Sequence, residues 1–241
     1  MSDLKYKKNT MNKIILVLLF FVHFLISSKF YADTKIEQGM KKMDYALGEM
    51  GRRNYKKALS LFLNCYDNAS MYGKDFLDIR DSFLLIYLKK MISLYPPTKN
   101  EIVKRYNTIL EKIDRGSFKR SEICPIVGLA EILKFEKQLS VFFEKLSAKK
   151  LTEEKLSIVT KVFYRVLFKY KKYRDIYMNM DLVGSAKKLV SKCKKDMFGE
   201  ILRNGTIDIL TEYVLILNYN KDISKVRIVE KMIDDLKQSK N

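Results

Sequence analysis

The residues that most often carry catalysis in proteins are scarce in this sequence. Its one histidine, His23, lies in an apolar run near the N-terminus that is typical of a targeting segment. Ser-His-Asp triads, Cys-His dyads and most catalytic zinc sites need a histidine in the folded part of the chain. We therefore expect no catalytic residues, no cofactor and no metal site, and we predict that the protein is not an enzyme.

Paired carboxylates are the catalytic set that the composition still allows. Glycosidases use two acids that face each other across a cleft, but the sequence does not indicate which of its acids converge. Glu153 and Glu154 are adjacent, and Asp78 lies close to Asp81. Helix starts and surface charges explain both pairs more simply. A carboxylate-dependent hydrolase is accordingly the remote alternative.

Two familiar ligand-binding patterns are incomplete or missing. Asn218, Asn220 and Asp222 have the spacing of a calcium loop. However, Ile223 replaces the glycine of that loop and Val229 replaces its bidentate glutamate, so we reject the calcium interpretation. The glycine patterns of the common phosphate-binding loops do not occur, which argues against a nucleotide enzyme.

A basic–aromatic segment, residues 161–174, is the most unusual candidate surface. It contains no acid, and aromatic residues alternate with its cations. The cations are Lys161, Arg165, Lys169, Lys171, Lys172 and Arg174. Such a composition fits a site for a polyanion or an anionic membrane. The spacing of Phe163, Val166 and Leu167 instead favours the buried stripe of an amphipathic helix, with the charges on its solvated side.

The overall charge is consistent with either interpretation of that segment. Lys and Arg number 47 against 28 Asp and Glu, which gives a formal net charge of +19. A basic surface attracts nucleic acid, anionic lipid and wall polymers. Most of the cations are lysine, whereas specific phosphate recognition favours the forked guanidinium of arginine.

The cysteines show no pattern of a metal or redox site. Cys65, Cys124 and Cys193 are far apart in the sequence and form no C-x-x-C pair. We expect three small buried side chains on helix faces. One disulfide with one free thiol is the alternative in an oxidising compartment.

The N-terminal residues 1–32 have the features of a secretory signal. Four lysines precede the apolar run 14–26, and two serines follow it. The run is shorter than the roughly 20 residues that span a bilayer, which favours cleavage. We predict an exported protein, periplasmic or extracellular, with membrane tethering by an uncleaved segment as the alternative.

From residue 35 onward the apolar residues recur at intervals of three and four, which predicts an all-α fold. Residues 33–241 are expected to form a single domain, with a hinge in the polar break 114–122. Gly51 is expected to end the first helix, and Asn54 and Thr152 to cap the helices that follow them. Residues 83–88 are all apolar, so the third helix should be covered on both sides. The helices are predicted near 36–50, 54–71, 76–95, 97–113, 125–133, 137–148, 153–168, 173–180, 183–197, 206–219 and 224–238.

One helix pair resembles a known repeat. Ala46, Tyr55, Ala58, Phe62 and Cys65 have the spacing of the small and aromatic packing positions in tetratricopeptide repeats (TPRs), over residues 39–72. The chain also resembles uncharacterised bacterial proteins with degenerate repeats of this type. The resemblance implies antiparallel helix pairs stacked as a degenerate TPR-like α-solenoid.

Such a stack exposes an extended concave surface for a protein or peptide. We therefore expect an exported, non-enzymatic protein-binding module. The alternative from another class is a basic protein that associates with anionic membrane or envelope polymer through residues 161–174. Nucleic acid is disfavoured as a partner if the protein is exported.

Overall fold

A computed structural model of the chain describes residues 35–147, 151–193 and 199–238. Across these ranges the chain is helical and has no β-strand, which confirms the all-α prediction. The predicted targeting segment lies outside the described residues. None of the helices in the described ranges has the length and the apolar character needed to cross a membrane.

The helices follow the apolar spacing of the sequence closely. Their bounds are α1, 35–51; α2, Tyr55–Asp67; α3, Lys74–Ile79; α4, Leu85–Leu94; α5, Pro97–Asp114; α6, Arg120–Ile123; α7, Ile126–Leu133; α8, Glu136–Ser147; α9, Glu153–Lys169; α10, Tyr173–Asn179; α11, Leu182–Cys193; α12, Gly199–Tyr219; and α13, Ile223–Gln238. A short 3₁₀ turn, Ala69–Tyr72, follows α2. A π-helical turn, Arg80–Leu84, joins α3 to α4 in place of one regular helix.

The start of α9 shows how local sequence signals set these bounds. Thr152 has an extended backbone, and its hydroxyl oxygen accepts a hydrogen bond from the backbone N–H of Lys155 at 3.4 Å. Glu153 and Glu154 occupy the first turn, where carboxylates complement the helix dipole. The predicted cap and the predicted helix-start role of these acids are therefore confirmed.

The described chain divides into two compact units, with the boundary between Lys104 and Arg105 inside α5. The polar break 114–122 lies within the second unit. There, Lys155 Nζ donates a hydrogen bond to the backbone oxygen of Gly116, and Lys112 Nζ lies 2.9 Å from Glu122 Oε1. These contacts attach the break to its neighbouring helices, and a hinge at this place stays a prediction.

In the first unit, the helix formed by α3, the π-helical turn and α4 buries only one side. Leu84 and Leu88 are fully buried, and α4 packs against α2. Phe83 and Ile86 are 60% and 61% exposed. The expectation that this helix is covered on both sides is thus wrong for the described structure, because only one of its faces meets a neighbour.

The π-helical turn contains a buried charge that is satisfied locally. Arg80 is 8% exposed and forms two hydrogen bonds with the adjacent carboxylate of Asp81, at 2.6 and 3.1 Å. Its guanidinium also lies over the ring of Tyr66. Burial raises the pKa of Asp81, and the arginine opposes that shift. Asp81 is therefore part of an ion pair rather than a free surface charge.

Several helices end in the same backbone turn, which we call the closing turn. One residue takes the left-handed conformation, and its N–H donates to the carbonyl three residues earlier. The N–H of the next residue donates to the carbonyl five residues back, as in a Schellman motif. The left-handed residues are Arg53, Gly116, Lys134, Lys171 and Lys221, with φ between 57° and 65°. Helix α1 ends at Gly51, as predicted, but the left-handed residue of the turn is Arg53.

The closing turn directs the next helix back onto the preceding one. Helix α7 packs against α8, α9 against α10, and α12 against α13. Five positions after the left-handed residue, the side chain is buried in each of four helix pairs. These side chains are Ala58, Leu139, Ile176 and Val226. A short turn therefore sets which face of the following helix enters the core.

The close approach of α1 to α3 depends on one glycine. Gly39 is buried, and a Cβ at this position would lie 2.5 Å from Cε2 of Phe76. The ring of Phe76 is fully buried, so it has little room to move. Gly48 lies on the same helix with no atom near its missing Cβ.

We predict that Gly39→Ala lowers the free energy of unfolding by about 1–3 kcal/mol, because the methyl group overpacks the contact with Phe76. Gly48→Ala is the matched control and should raise it by up to about 1 kcal/mol, since alanine is the better helix former. Urea denaturation followed by circular dichroism measures both. A Gly39→Ala protein as stable as the Gly48→Ala protein would contradict the close packing.

Candidate functional site

The basic–aromatic segment lies partly on α9, partly in the closing turn at Lys171 and partly at the start of α10. As the helical interpretation predicts, Phe163, Val166 and Leu167 are buried. Five of the cations named above are exposed, whereas Lys172 is half-buried. The segment therefore has an inner apolar side and an outer charged side.

Two of its cations are neutralised by acids of α8. Lys169 Nζ lies 2.5 Å from Glu136 Oε1, and Lys172 Nζ pairs with Glu144. These hydrogen bonds raise the pKa of both lysines, so the two lysines stay charged and paired. The other four cations, Lys161, Arg165, Lys171 and Arg174, form no ion pair among the described residues.

The aromatic residues of the segment mainly hold helices together. A chain of ring contacts runs through α9, α10 and α12, with centroid distances of 5.7, 6.0, 5.4 and 5.4 Å. Its members in order are Tyr213, Tyr164, Phe168, Tyr173 and Tyr219. Only the last is largely exposed, at 63%. Tyr164, Phe168 and Tyr173, which lie between the cations, are therefore occupied by packing.

The hydroxyl of Tyr164 is satisfied within the same cluster. It donates a hydrogen bond to Glu212 Oε2 at 2.7 Å. Burial and this carboxylate raise the pKa of Tyr164, and burial raises the pKa of Tyr213 to about 12. Both phenols thus stay neutral at physiological pH.

An apolar groove lies between α5 and α8 in the second unit, with a volume of about 550 Å³. Its lining residues are Tyr106, Leu110, Phe135, Lys137, Gln138, Val141, Phe142 and Lys145. Val141 is 43% exposed, while Leu139, Phe143 and Leu146 on the other side of α8 are buried. Helix α8 thus has apolar residues toward the core and also toward the groove.

Sequence reasoning did not find this groove. Phe142 fits the core stripe of α8 by spacing, but it is only half-buried and forms part of the groove. The signal in the sequence was the width of the apolar face of α8. Leu139 and Phe143 already form one apolar stripe, and Val141 and Phe142 lie outside it. An apolar face wider than one stripe indicates a second contact surface.

Tyr106 forms one wall of the groove. Its ring meets that of Phe135 edge-on at a centroid distance of 5.6 Å, and the residue is 3% exposed. Its hydroxyl is buried without a hydrogen-bond partner among the described residues, and burial raises its pKa to about 12. This hydroxyl therefore has an unfavourable position in the folded chain.

Two acids, Glu49 and Asp222, accept hydrogen bonds at connections between helices. Glu49 is 2% exposed and accepts hydrogen bonds from Asn54 Nδ2 at 2.8 Å and Lys57 Nζ at 3.2 Å, which lower its pKa. Asn54 occupies the predicted N-cap position of α2, but its side chain binds Glu49 and makes no cap hydrogen bond to the helix. Asp222 accepts from Ser224 Oγ at 2.8 Å and Tyr177 Oη at 3.0 Å at the start of α13, and its pKa is lowered, first by Lys225.

The described residues contain no group of three histidine, cysteine or acidic side chains that could hold a metal ion. Within the described ranges, Cys65, Cys124 and Cys193 form no disulfide, so that alternative is not present there. Cys65 is buried, as expected, and burial raises the pKa of its thiol. The other two are half-buried.

Comparison with known proteins gives no match to any family model, to any curated protein or to any solved structure.

We predict opposite effects on stability from two Tyr→Phe substitutions. Tyr106→Phe should leave the free energy of unfolding unchanged or raise it by about 1 kcal/mol, because it removes a buried unpaired hydroxyl. Tyr164→Phe should lower it by about 1–3 kcal/mol, because Glu212 loses its donor. Urea denaturation of both variants checks this. Equal destabilisation by the two would show that the Tyr106 hydroxyl is paired.

Proposed function

We propose that this chain is a non-enzymatic helical-repeat module that binds a protein or peptide in the groove between α5 and α8. In this proposal the helix pairs stack as a degenerate TPR-like α-solenoid, and the protein acts after export. The recurrent closing turn and its buried fifth position support the repeat. The N-terminal features of the sequence support export, with tethering as the alternative.

The observation that carries the proposal is the apolar character of an open groove. Its volume of about 550 Å³ lies within the range of about 300–1,000 Å³ of ligand pockets. Leu110, Val141 and Phe142 offer apolar contacts along two helices, which is the geometry that receives an apolar segment of a partner. Because Val141 is 43% exposed, covering it would remove apolar surface from water.

The chemistry of the lining favours binding over hydrolysis. Its residues include no acid, serine, cysteine or histidine, so the groove offers neither a carboxylate pair nor a nucleophile with its base. Asp81 and Asp175, whose pKa values burial raises, lie in different units and outside the groove. A carboxylate-dependent hydrolase stays the remote alternative.

Site-specific photo-cross-linking in the organism that makes the protein tests this proposal. A benzophenone amino acid in place of Val141 should give one defined adduct with another polypeptide, because that side chain lines the groove. The same substitution at Leu215, 51% exposed on α12, is the matched control and should not give that adduct. Equal adducts at both positions, or none at Val141, would contradict the proposal.

A basic protein that associates with anionic membrane or envelope polymer is the second candidate. Four exposed cations of the basic–aromatic segment form no ion pair among the described residues, and this observation favours it. The pairing of Lys169 and Lys172 with acids weakens it, because it removes two charges from the surface.

The second candidate predicts a loss of binding that depends on position. One variant changes four exposed cations of the segment to Glu, namely Lys161, Arg165, Lys171 and Arg174. A control variant of equal net charge changes four other exposed lysines to Glu, namely Lys187, Lys188, Lys192 and Lys231. We expect the fraction of protein that sediments with phosphatidylglycerol vesicles at low salt to fall equally for both variants, because both have the same net charge. A loss confined to the first variant would establish the second candidate instead.

A further inference from the structure

The two lysines of the groove lie at opposite ends of one helix face. Lys137 and Lys145 are eight residues apart on α8, with Val141 midway. At a rise of about 1.5 Å per residue, their Cα atoms are about 12 Å apart along the axis. The apolar part of the groove therefore has an ammonium group near each end.

These two charges have no counter-charge within the groove. Both lysines are exposed, and neither forms an ion pair among the described residues. By contrast, Lys169 of α9 and Lys172 of the turn after it pair with Glu136 and Glu144 of α8. An occupant of the apolar part that brought negative charge to both ends would complement the groove, whereas a cationic occupant would be repelled.

The separation of the charges discriminates between classes of occupant. A lipid or fatty acid has one anionic head at one end of its apolar chain, so it can meet only one of the lysines. An amphipathic helix repeats its side-chain directions every three or four residues. Acids about seven positions apart then lie about 10.5 Å apart on one face, with apolar residues between them.

We propose that the groove between α5 and α8 receives an acidic amphipathic helix of a partner protein, whose apolar residues contact Val141 and Phe142 and whose acids meet Lys137 and Lys145. This inference rests on the proposed function and adds the chemistry of the partner. The paired charges fix the position of the helix along the groove.

Binding of designed peptides to the full chain tests the proposal. The probe is a fluorescent alanine-based helical peptide with two glutamates about seven positions apart and leucines three and four positions after the first. One matched peptide has glutamine in place of both glutamates, and another has both glutamates at one end. Fluorescence anisotropy across a salt series measures each affinity.

We expect the first peptide to bind about tenfold more tightly than the other two at low salt, with the difference shrinking as salt rises. Combining Lys137→Gln with Lys145→Gln should remove that tenfold advantage. Lys187→Gln with Lys188→Gln, which removes the same charge from α11, should retain it. Circular dichroism confirms that each variant is folded.

Four results would overturn the inference. If the glutamine peptide binds as well as the first, the occupant is apolar but not acidic, and the proposed function stands. If no peptide binds, the acidic-helix class is wrong, and the cross-link at Val141 decides the proposed function independently. Binding of a fatty-acid probe to the full chain, with no binding of any peptide, would identify an amphiphile as the occupant. A dimer of the full chain that Val141→Glu dissociates in sedimentation equilibrium would identify a second copy.

Discussion

The closing turn is the constraint on which the rest of this structure depends. An amphipathic helix buries its apolar stripe only against a neighbouring helix. The angle between each helix and the next must therefore bring the two stripes together. At Lys134, Lys171 and Lys221 two backbone hydrogen bonds fix the direction in which the chain leaves the helix. The following helix then packs against the one before it, and the residue five positions after the left-handed one enters the core.

The groove is a consequence of one of these turns. After Lys134 the chain places Phe135 edge-on against Tyr106 of α5, and α8 begins at the next residue. Leu139 and Phe143 then face the core, so Val141 can only face away from it. The apolar residues of α8 that have no place inside the second unit thus form a surface beside α5.

The sequence predicted what depends on neighbouring residues and missed what depends on distant ones. Apolar spacing predicted the helices, and Thr152 marked the start of α9. The π-helical turn was not predicted, because one extra residue in a helical turn leaves the apolar spacing of three and four nearly unchanged. The groove was not predicted, because Tyr106 and Val141 are far apart in the sequence and line the same groove only through tertiary packing. Likewise, the pairing of Lys169 with Glu136 requires α8 beside α9.

Lysine or arginine occupies most of the left-handed positions, where glycine is the usual residue. Because backbone hydrogen bonds hold each turn, its geometry tolerates side chains that impose some strain. Arginine, glycine and lysine thus occupy the same position of the turn while the connection between helices stays the same. The spacing that resembles a known repeat occurs at one helix pair, whereas the turn recurs along the chain, so the regularity of the described chain lies in its backbone more than in its residue types.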